Sequence, residues 1–293
     1  MVEVIQRIKD SRTKSFITVF FVYILASIIG ITLYNRLPYA FWLNLLIADV
    51  VATVVAFAFS VLFRNASIYD PYWSVQPIVI LTAFAAGQSL TWLGVLLLIA
   101  VWFWGLRLTA NWAYTFHGLN HQDWRYTMLK ETTGCFYPVV NFFGIHLVPT
   151  LVVYGCILPA VYAIQNQVKG NAGSVLLFCV SIGATILQGM ADYQMQMFRL
   201  HKTGGFIRTG LWKYARHPNY LGELLMWWGI GLAVVCAMPE QFYLCVGALA
   251  NTVLFLSASI PMAEGKQSKK PGYEEYRRQP RMLLPVKKRN PNG

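Results

Sequence analysis

The chain has 293 residues, of which 56% are hydrophobic and only 12% are charged, and its mean hydropathy is +0.47. Soluble globular domains carry about 25% charged residues, so this composition excludes an ordinary soluble protein and predicts an integral membrane protein. The net charge of +12 would favour nucleic acid binding in a soluble protein. We attribute it instead to membrane topology and expect no nucleic acid partner.

Apolar segments long enough to cross a membrane recur along the whole chain. A helix needs about 20 apolar residues to cross a hydrocarbon core of about 30 Å. The predicted spans are 16–34, 40–63, 74–87, 90–108, 142–164, 172–194, 220–238 and 241–261. The third is short and contains Pro77, so seven spans are the alternative to eight. We predict an all-α polytopic membrane bundle that forms one domain over residues 1–293.

The distribution of basic residues gives the orientation of this bundle. With eight spans, 22 of the 24 Lys and Arg residues fall on one side of the membrane, and only Arg36 and Lys169 fall on the other. Basic residues favour cytoplasmic loops. Both termini are therefore predicted to be cytoplasmic.

The first polar group along the chain is SIYDPYWSVQP, at the start of the third predicted span. It contains Tyr69, Asp70 and Tyr72. A buried carboxylate that hydrogen-bonds a tyrosine can hold the phenol ready to protonate a carbonyl oxygen, so Asp70 with Tyr69 or Tyr72 is a candidate catalytic pair. The alternative is an aromatic belt at the membrane surface, with Asp70 as a helix cap.

The second polar group is WGLRLTANWAYTFHGLNHQDWRYTMLK, at the end of the fourth predicted span. Its candidate binding residues for an anionic cofactor are Arg107, Asn111, Asp123, Arg125 and Tyr126. For Arg107 the alternative is a basic residue at the end of a span that only sets the orientation of the protein in the membrane. His117 and His121 have the spacing of two metal ligands on a helix. The chain has only five histidines and its five cysteines form no CxxC motif, so no metal site is predicted.

The third polar group is LQGMADYQMQMFRLHK. Gln188, Asp192, Gln196 and Arg199 recur at intervals of four, four and three residues, which places them on one helix face. Contact between such a polar helix face and lipid would cost free energy, so the face indicates a polar ligand that enters from the cytosol. The alternative is a set of hydrogen bonds between helices, with Arg199 reaching towards water.

The fourth polar group is GLWKYARHPNYLGE, which leads into an apolar span. Pro218 suits the first turn of a helix, and Asn219 and Glu223 then fall on one face. Arg216 and His217 precede that helix, where donors favour phosphate. A basic cluster that contacts lipid head groups is the alternative.

Several of these motifs together resemble a known family. ADYQMQMFR, GLWKYARHPNYLGE, WGLRL, DWRY and PGYEEYRRQPRMLLP resemble the steroid 5-alpha-reductase-like membrane proteins, in particular the branch with an uncharacterised DUF1295-type reductase domain. The similarity covers about Tyr69 to Pro285. It implies NADPH as cofactor. The residues that it implies for NADPH are Asp192, Arg199, Asn219 and Glu223, with Arg216, His217, Tyr220, Tyr273 and Tyr276 in support. Gln188 and the residues of the second polar group complete the predicted cofactor site.

The resemblance also implies a function and a division of labour along the chain. Residues 16–134 would shape the substrate cavity, and 135–293 would hold the cofactor loops and the basic tail. The family grips its substrate ketone with a Glu and a Tyr. No stretch of this chain matches them, so the Asp70 pair is an inferred substitute. We expect an NADPH-dependent reductase of a conjugated C=C bond in a lipid, steroid, sterol or isoprenoid enone, with its active site facing the cytosol.

Two alternatives remain open at this point. Isoprenylcysteine and phospholipid methyltransferases carry motifs similar to RHPNYLGE, so an S-adenosylmethionine-dependent membrane methyltransferase is the first. A non-enzymatic lipid-binding membrane protein with the same fold is the second. Membrane lipids are the expected surroundings in all three cases.

Overall fold

The computed structural model describes residues 2–201 and 205–285. Four of the Lys and Arg residues that were counted to predict the membrane orientation lie outside the described residues. They are Lys202, Lys287, Lys288 and Arg289. Within the described residues the secondary structure is helical, apart from one isolated parallel bridge between Ala215 and Arg281. The chain divides into two compact units, Met1–Gln167 and Val168–Gly293.

The first unit begins with a short amphipathic helix and continues with long apolar helices. Its α-helices are α1 (Val2–Lys9), α2 (Arg12–Tyr34), α3 (Phe41–Leu62), α4 (Tyr72–Ala85), α5 (Trp92–Thr115), α6 (Trp124–Thr133), α7 (Tyr137–Val139) and α8 (Val148–Gln165). A 3-10 turn, Ala66–Tyr69, precedes α4, and a π-helix, Val140–Leu147, joins α7 to α8. Side-chain caps fix three of the starts: Ser11 for α2, Thr91 for α5 and Asp123 for α6.

Among its described residues, the second unit contains five α-helices. They are α9 (Ala172–Leu200), α10 (Pro218–Ala237), α11 (Val246–Leu254), α12 (Ile260–Gln267) and α13 (Tyr273–Arg278). Asn171 and Ser174 form a capping box at the start of α9. Pro218 is the first residue of α10, and this helix start is the one that the sequence predicts. A 3-10 segment, Pro239–Cys245, and a π-helix, Phe255–Ser259, flank α11.

Among the described residues, seven helical segments are long and apolar enough to cross a membrane. They are Arg12–Tyr34, Phe41–Leu62, Trp92–Thr115, Trp124–Gln165, Ala172–Leu200, Pro218–Ala237 and Pro239–Gln267. Each of these segments overlaps one of the predicted spans. Their number therefore agrees with the alternative prediction of seven spans. The chain is an all-helical, multi-pass membrane protein.

The remaining predicted span, 74–87, is helical but shorter than a bilayer core. Helix α4 has 14 residues, which cover about 21 Å at 1.5 Å per residue. Pro77 lies inside this helix without ending it. Both termini can be cytoplasmic only if the number of crossings is even. The orientation of the termini therefore stays a prediction that depends on α4.

Helix α4 packs within the first unit against α5 and α8. Gly105 of α5 allows the close approach, because a Cβ atom there would lie 2.6 Å from the main-chain oxygen of Ser74. Trp104, Leu97 and Ile157 are fully buried among these helices. This packing holds the N-terminal end of α4, which carries Tyr72 and directly follows Tyr69 and Asp70, in a largely buried environment.

Candidate functional site

The third and fourth polar groups of the sequence meet on two neighbouring helices of the second unit. Gln188 Nε2 on α9 donates to Glu223 Oε2 on α10 over 2.7 Å. Asn219 Nδ2 on α10 donates to Asp192 Oδ1 on α9 over 3.2 Å. These two cross-links lie one helical turn apart on antiparallel helices. The structure thus brings together four residues that the sequence analysis assigned to the cofactor.

Glycines allow α9 and α10 to approach closely enough for these hydrogen bonds. A Cβ atom on Gly222 would lie 2.6 Å from the main-chain oxygen of Ala184 and 2.7 Å from Cβ of Gln188. A Cβ atom on Gly229 would lie 2.1 Å from Oγ of Ser181. Small residues commonly let membrane helices pack backbone against backbone. The polar pairs are therefore held at a spacing that side chains at 222 and 229 would widen.

The interior of this polar group combines a satisfied carboxylate with unsatisfied acceptors. Glu223 is 2% exposed, and its second oxygen, Oε1, accepts a hydrogen bond from Trp227 Nε1 over 2.8 Å. Among the described residues, Gln188 Oε1 and Asn219 Oδ1 are buried and have no hydrogen-bond partner. Buried polar atoms are nearly always paired. Two acceptors without a partner are therefore suited to donor groups of a ligand.

The basic end of α9 lies beyond these pairs. Arg199 is in the last turn of α9 and is exposed. Burial, and secondarily the positive charge of Arg199, lowers the pKa of Lys270, whose Nζ donates to the main-chain oxygen of Gly205 over 2.6 Å. A lysine whose charged form is disfavoured beside a second cation indicates a place where an anion would be stabilised.

Arg216 and His217 have a different environment from the one predicted. Arg216 Nε forms an ion pair with Glu264 Oε1 at 2.7 Å, and His217 Nε2 lies 3.1 Å from the same oxygen. Arg216 Nη1 also donates to the main-chain oxygens of Arg277 and Pro280. The Arg216 side chain is only 9% exposed. Arg216 therefore ties the segment after α12 to the start of α10, and its predicted phosphate contact stays a prediction.

The three tyrosines predicted in this part of the chain are packed in aromatic clusters. The Tyr220 ring stacks on the His217 ring, with centroids 5.2 Å apart. Tyr273 and Tyr276 pack against Phe206, and Tyr276 Oη donates to the main-chain oxygen of Trp212 over 2.5 Å. Burial raises the pKa of Tyr273 to about 12 and also raises the pKa of Tyr276. Both phenols are therefore neutral at physiological pH and stabilise the position of α13.

In the first unit, Asp70 and the DWRY motif form a second polar group. Tyr126 Oη donates to Asp70 Oδ1 over 2.6 Å. Asp123 caps α6 and pairs with Arg125 Nε at 2.8 Å. Burial raises the pKa of Asp70 to about 6, against the lowering effect of the Arg125 charge and of the hydrogen bonds from Tyr126 and Ser67. Asp70 therefore titrates close to physiological pH.

This group borders an open cavity with a volume of about 1110 Å³ when the space open to solvent is included. Asp70, Asn111, Asp123 and Arg125 are among the residues that line it. Arg107 lies on α5 one turn before Asn111 and is partly buried. Asn111, Asp123 and Arg125 of the second polar group thus line one cavity of the first unit, whereas Arg107 and Tyr126 are not among its lining residues. His117 and His121 lie in a loop and not on a helix.

The tyrosines next to Asp70 are paired differently from the prediction. Tyr72 Oη lies 3.2 Å from Asp49 Oδ1 and donates to it, and Tyr69 Oη lies 2.7 Å from Thr150 Oγ1. The tyrosine that contacts Asp70 is Tyr126. The predicted pair of Asp70 with Tyr69 or Tyr72 is therefore wrong as a contact, because α3 supplies a closer carboxylate for Tyr72.

Asp49, Tyr72 and Gln76 form a buried polar cluster in an apolar cavity. Gln76 Nε2 donates to Asp49 Oδ2, and all three side chains are among those that line a cavity between α2, α3 and α4. Its volume is about 750 Å³ when the space open to solvent is included, and most of its lining is apolar. Ligand pockets commonly combine an apolar wall with a few polar groups.

The sequence analysis missed Asp49 and Gln76. Asp49 is 3% exposed and lies within an otherwise apolar span. An ionisable residue inside a membrane span is a functional hypothesis by default, so Asp49 carried a signal of its own. Gln76 is four residues after Tyr72, the spacing of one helix face. Their contact with each other links α3 to α4 and had no local sequence signal.

Comparisons with known proteins agree with this description. A family model described as a protein of unknown function, DUF1295, matches residues 56–280. An uncharacterized protein of the fission yeast Schizosaccharomyces pombe is 26% identical in an alignment of 227 residues that covers 66% of this chain and 64% of that protein. The chain thus spans less than two thirds of that relative. No solved structure matches the chain. The chain belongs to the DUF1295 family, whose members are steroid 5-alpha-reductase-like membrane proteins.

Proposed function

We propose that this protein is an NADPH-dependent membrane reductase that reduces a conjugated C=C bond of a lipid enone, such as a steroid, sterol or isoprenoid ketone. The observation that carries the proposal is the cluster of Asp49, Tyr72 and Gln76 in an apolar cavity. An apolar molecule with one oxygen atom would fill the cavity and present that oxygen to the Tyr72 hydroxyl. The family relation supports the same reaction class.

The residues on α9 and α10 fit a dinucleotide. Gln188 Oε1 and Asn219 Oδ1 would accept hydrogen bonds from its amide or ribose groups, and Asp192 and Glu223 would hold those two side chains in place. Arg199 would contribute charge for phosphate. When bound, the nicotinamide would supply a hydride to the β carbon of the enone. The distribution of basic residues favours the cytosolic side for this site.

The side chains of the first unit would then act on the carbonyl group. Hydride addition to the β carbon would place negative charge on the carbonyl oxygen, and a proton from solvent would then add to the α carbon to complete the reduction. A hydroxyl donor in a site that excludes water stabilises such charge strongly, commonly by a factor of about 100 or more in rate. Tyr72 would be that donor. Asp49 and Gln76 would hold the Tyr72 ring in the cavity and complete the polar end of the site.

The experiment is a turnover assay on the purified full chain in detergent or nanodiscs. NADPH oxidation would be followed at 340 nm with cholest-4-en-3-one and with a linear isoprenoid enone, and the products would be identified by mass spectrometry. Tyr72→Phe should lower kcat about 100-fold. Tyr243→Phe is the matched control, since Tyr243 is 55% exposed and lies outside both polar groups.

The same preparation separates the alternatives. Asp192→Ala and Asn219→Ala should weaken NADPH binding about 10-fold or more, because each removes a hydrogen bond to a charged or buried group. Binding of S-adenosylmethionine with no binding of NADPH would replace the reductase by a methyltransferase. Failure of both cofactors to bind would leave the lipid-binding protein as the function.

A further inference from the structure

Gln76 uses only part of its hydrogen-bonding capacity at the polar end of the apolar cavity. Its side chain belongs to α4, lines the cavity and is 6% exposed. Gln76 Nε2 donates to Asp49 Oδ2, but Gln76 Oε1 is buried and has no hydrogen-bond partner. Among the described residues that line this cavity, no other buried side-chain nitrogen or oxygen lacks a partner. Gln76 Oε1 is therefore the acceptor that the cavity offers to a ligand.

The contact with Asp49 decides the orientation of the Gln76 amide. An ionised carboxylate accepts hydrogen bonds and donates none, so it requires the amide nitrogen and turns the amide oxygen away. Tyr72 Oη donates to the other carboxylate oxygen, Asp49 Oδ1, over 3.2 Å. Both oxygens of Asp49 thus accept a hydrogen bond. The amide cannot be reversed without placing two acceptors against each other, and Gln76 Oε1 is fixed as an acceptor.

This acceptor distinguishes between two kinds of ligand. A simple ketone can accept from the Tyr72 hydroxyl, but it has no donor for Gln76 Oε1, and a buried acceptor without a partner costs free energy. A ligand with a hydroxyl group beside its carbonyl group satisfies both residues. Tyr72 and Gln76 lie one turn apart on α4 and converge on the two oxygens of one carboxylate. Their contacts with a ligand would therefore be only a few ångströms apart, which is the spacing of oxygen atoms on adjacent carbons.

We propose that Gln76 is a specificity-determining residue that selects lipid enones with a hydroxyl group on the saturated carbon next to the carbonyl carbon. The inference rests on the proposed function, in which the carbonyl oxygen of that lipid contacts Tyr72. The ligand hydroxyl donates to Gln76 Oε1, and Asp49 holds the amide in place. Gln76 takes no part in hydride or proton transfer, so its effect is on the affinity for the ligand.

The test compares two ligands that differ in one hydrogen-bond donor. They are 2-hydroxycholest-4-en-3-one and 2-fluorocholest-4-en-3-one, each as both epimers, because fluorine is similar in size to a hydroxyl group and cannot donate. Dissociation constants are measured on the purified full chain in nanodiscs without NADPH. We expect wild type to bind one hydroxy epimer about 10-fold more tightly than the corresponding fluoro compound, since only the hydroxyl satisfies the buried acceptor. Equal affinities for the hydroxy and fluoro ligands would overturn the proposal.

Variants show whether Gln76 is the residue that recognises the hydroxyl group. Gln76→Met keeps the length of the side chain and removes the acceptor, so the preference should fall to less than about twofold. Tyr72→Phe should weaken binding of both ligands and leave the preference within about twofold of wild type. Gln88→Met is the matched control, because Gln88 is exposed and does not line the cavity. A preference that survives in Gln76→Met would contradict the assignment, and the wild-type comparison decides the proposal even if this variant is unstable.

Turnover measurements keep this inference separate from the proposed function. The ratio of kcat/KM for the hydroxy ligand to that for the fluoro ligand should fall about fivefold or more from wild type to Gln76→Met. Comparing the two ratios cancels the electronic effect of fluorine on the enone. Preferential binding of the hydroxy ligand without any NADPH oxidation would support the role of Gln76 and refute the reductase. NADPH oxidation with both ligands and no preference in binding would refute the role of Gln76 and leave the reductase standing.

Discussion

The two units carry their buried polar residues in different ways. In the second unit, Gln188, Asp192, Asn219 and Glu223 lie on two consecutive helices at four-residue intervals and pair across one helix interface. In the first unit, each pair joins residues far apart in the chain, such as Asp49 with Tyr72 and Asp70 with Tyr126. The arrangement in the first unit requires several helices to be in place before any one pair can form.

This difference leads to different expectations for function. The pairs of the second unit leave two buried acceptors without a partner, which suits a polar ligand. The cluster around Asp49 borders an apolar cavity, which suits a lipid with one polar atom. Changes in the two places should therefore affect different measured quantities, namely cofactor affinity in the second unit and kcat in the first.

The largest expected effect is that of Asp49→Leu on kcat. Leucine has the same number and branching of side-chain heavy atoms as aspartate, and it removes the hydrogen bonds to Tyr72 and Gln76. We expect kcat to fall about 100-fold or more and NADPH affinity to stay within about twofold. Asp49→Asn is the matched variant, because it keeps an oxygen for Tyr72 and should lose less. Full activity of Asp49→Leu would contradict the role of the cavity.

The next effect concerns the ion pairs of Glu264. Glu264→Gln leaves Arg216, which is largely buried, without its anionic partner, and breaking such a pair costs about 3 kcal/mol. We expect faster tryptic cleavage after Arg277 and Arg278 and a lower melting temperature. Glu274→Gln is the control, because Glu274 is 59% exposed and pairs with Arg277 only at 3.6 Å. Equal cleavage rates in the two variants would contradict this assignment.

A smaller effect is expected from closing the gap between α9 and α10. Gly222→Ala places a methyl group against main-chain atoms that cannot move without shifting a helix, which costs about 2 kcal/mol of unfolding free energy. Gly183→Ala on α9 has nothing within 4 Å of the new methyl group and should be neutral or stabilising. Denaturation midpoints in detergent provide the measurement. A loss in Gly183→Ala as large as that in Gly222→Ala would argue against close helix contact.

The smallest effect is a pH dependence at Asp70. Its pKa is raised from 3.8 to about 6, chiefly by burial, so the folded state favours the protonated form. Its contribution to stability is complete below about pH 4 and is lost as the pH rises through about 6. We expect about 1 kcal/mol, since the site is half-buried and solvent screens part of the effect. In Asp70→Asn the denaturation midpoint should vary less between pH 4 and pH 7, and an unchanged slope would contradict the assignment.

Much of the fold could be predicted because the membrane restricts it. Hydropathy located the seven segments of the described residues that are long enough to cross, and Pro218 marked the first turn of α10. Helical spacing alone placed Gln188 with Asp192 and Asn219 with Glu223. Their mutual contact then required only that α9 and α10 be neighbours, which consecutive helices usually are.

The rest could not be predicted because it depends on contacts between distant segments. Asp49 and Tyr72 are 23 residues apart, and Thr53 and Thr150 are 97 apart. Local spacing gave Tyr72 the nearest carboxylate in sequence, Asp70, although the packing of α3 against α4 supplies another. In the same way, Arg216 looked available for phosphate because its partner, Glu264, follows 48 residues later.

The parallel bridge between Ala215 and Arg281 has a consequence for how the protein is made. The main-chain N–H groups of Arg216 and His217, just before α10, donate to the oxygens of Arg281 and Met282. Those acceptors do not exist while the ribosome is still producing the last apolar segment. The segment just before α10 can therefore form these two hydrogen bonds only after the last apolar segment, Pro239–Gln267, has been synthesised.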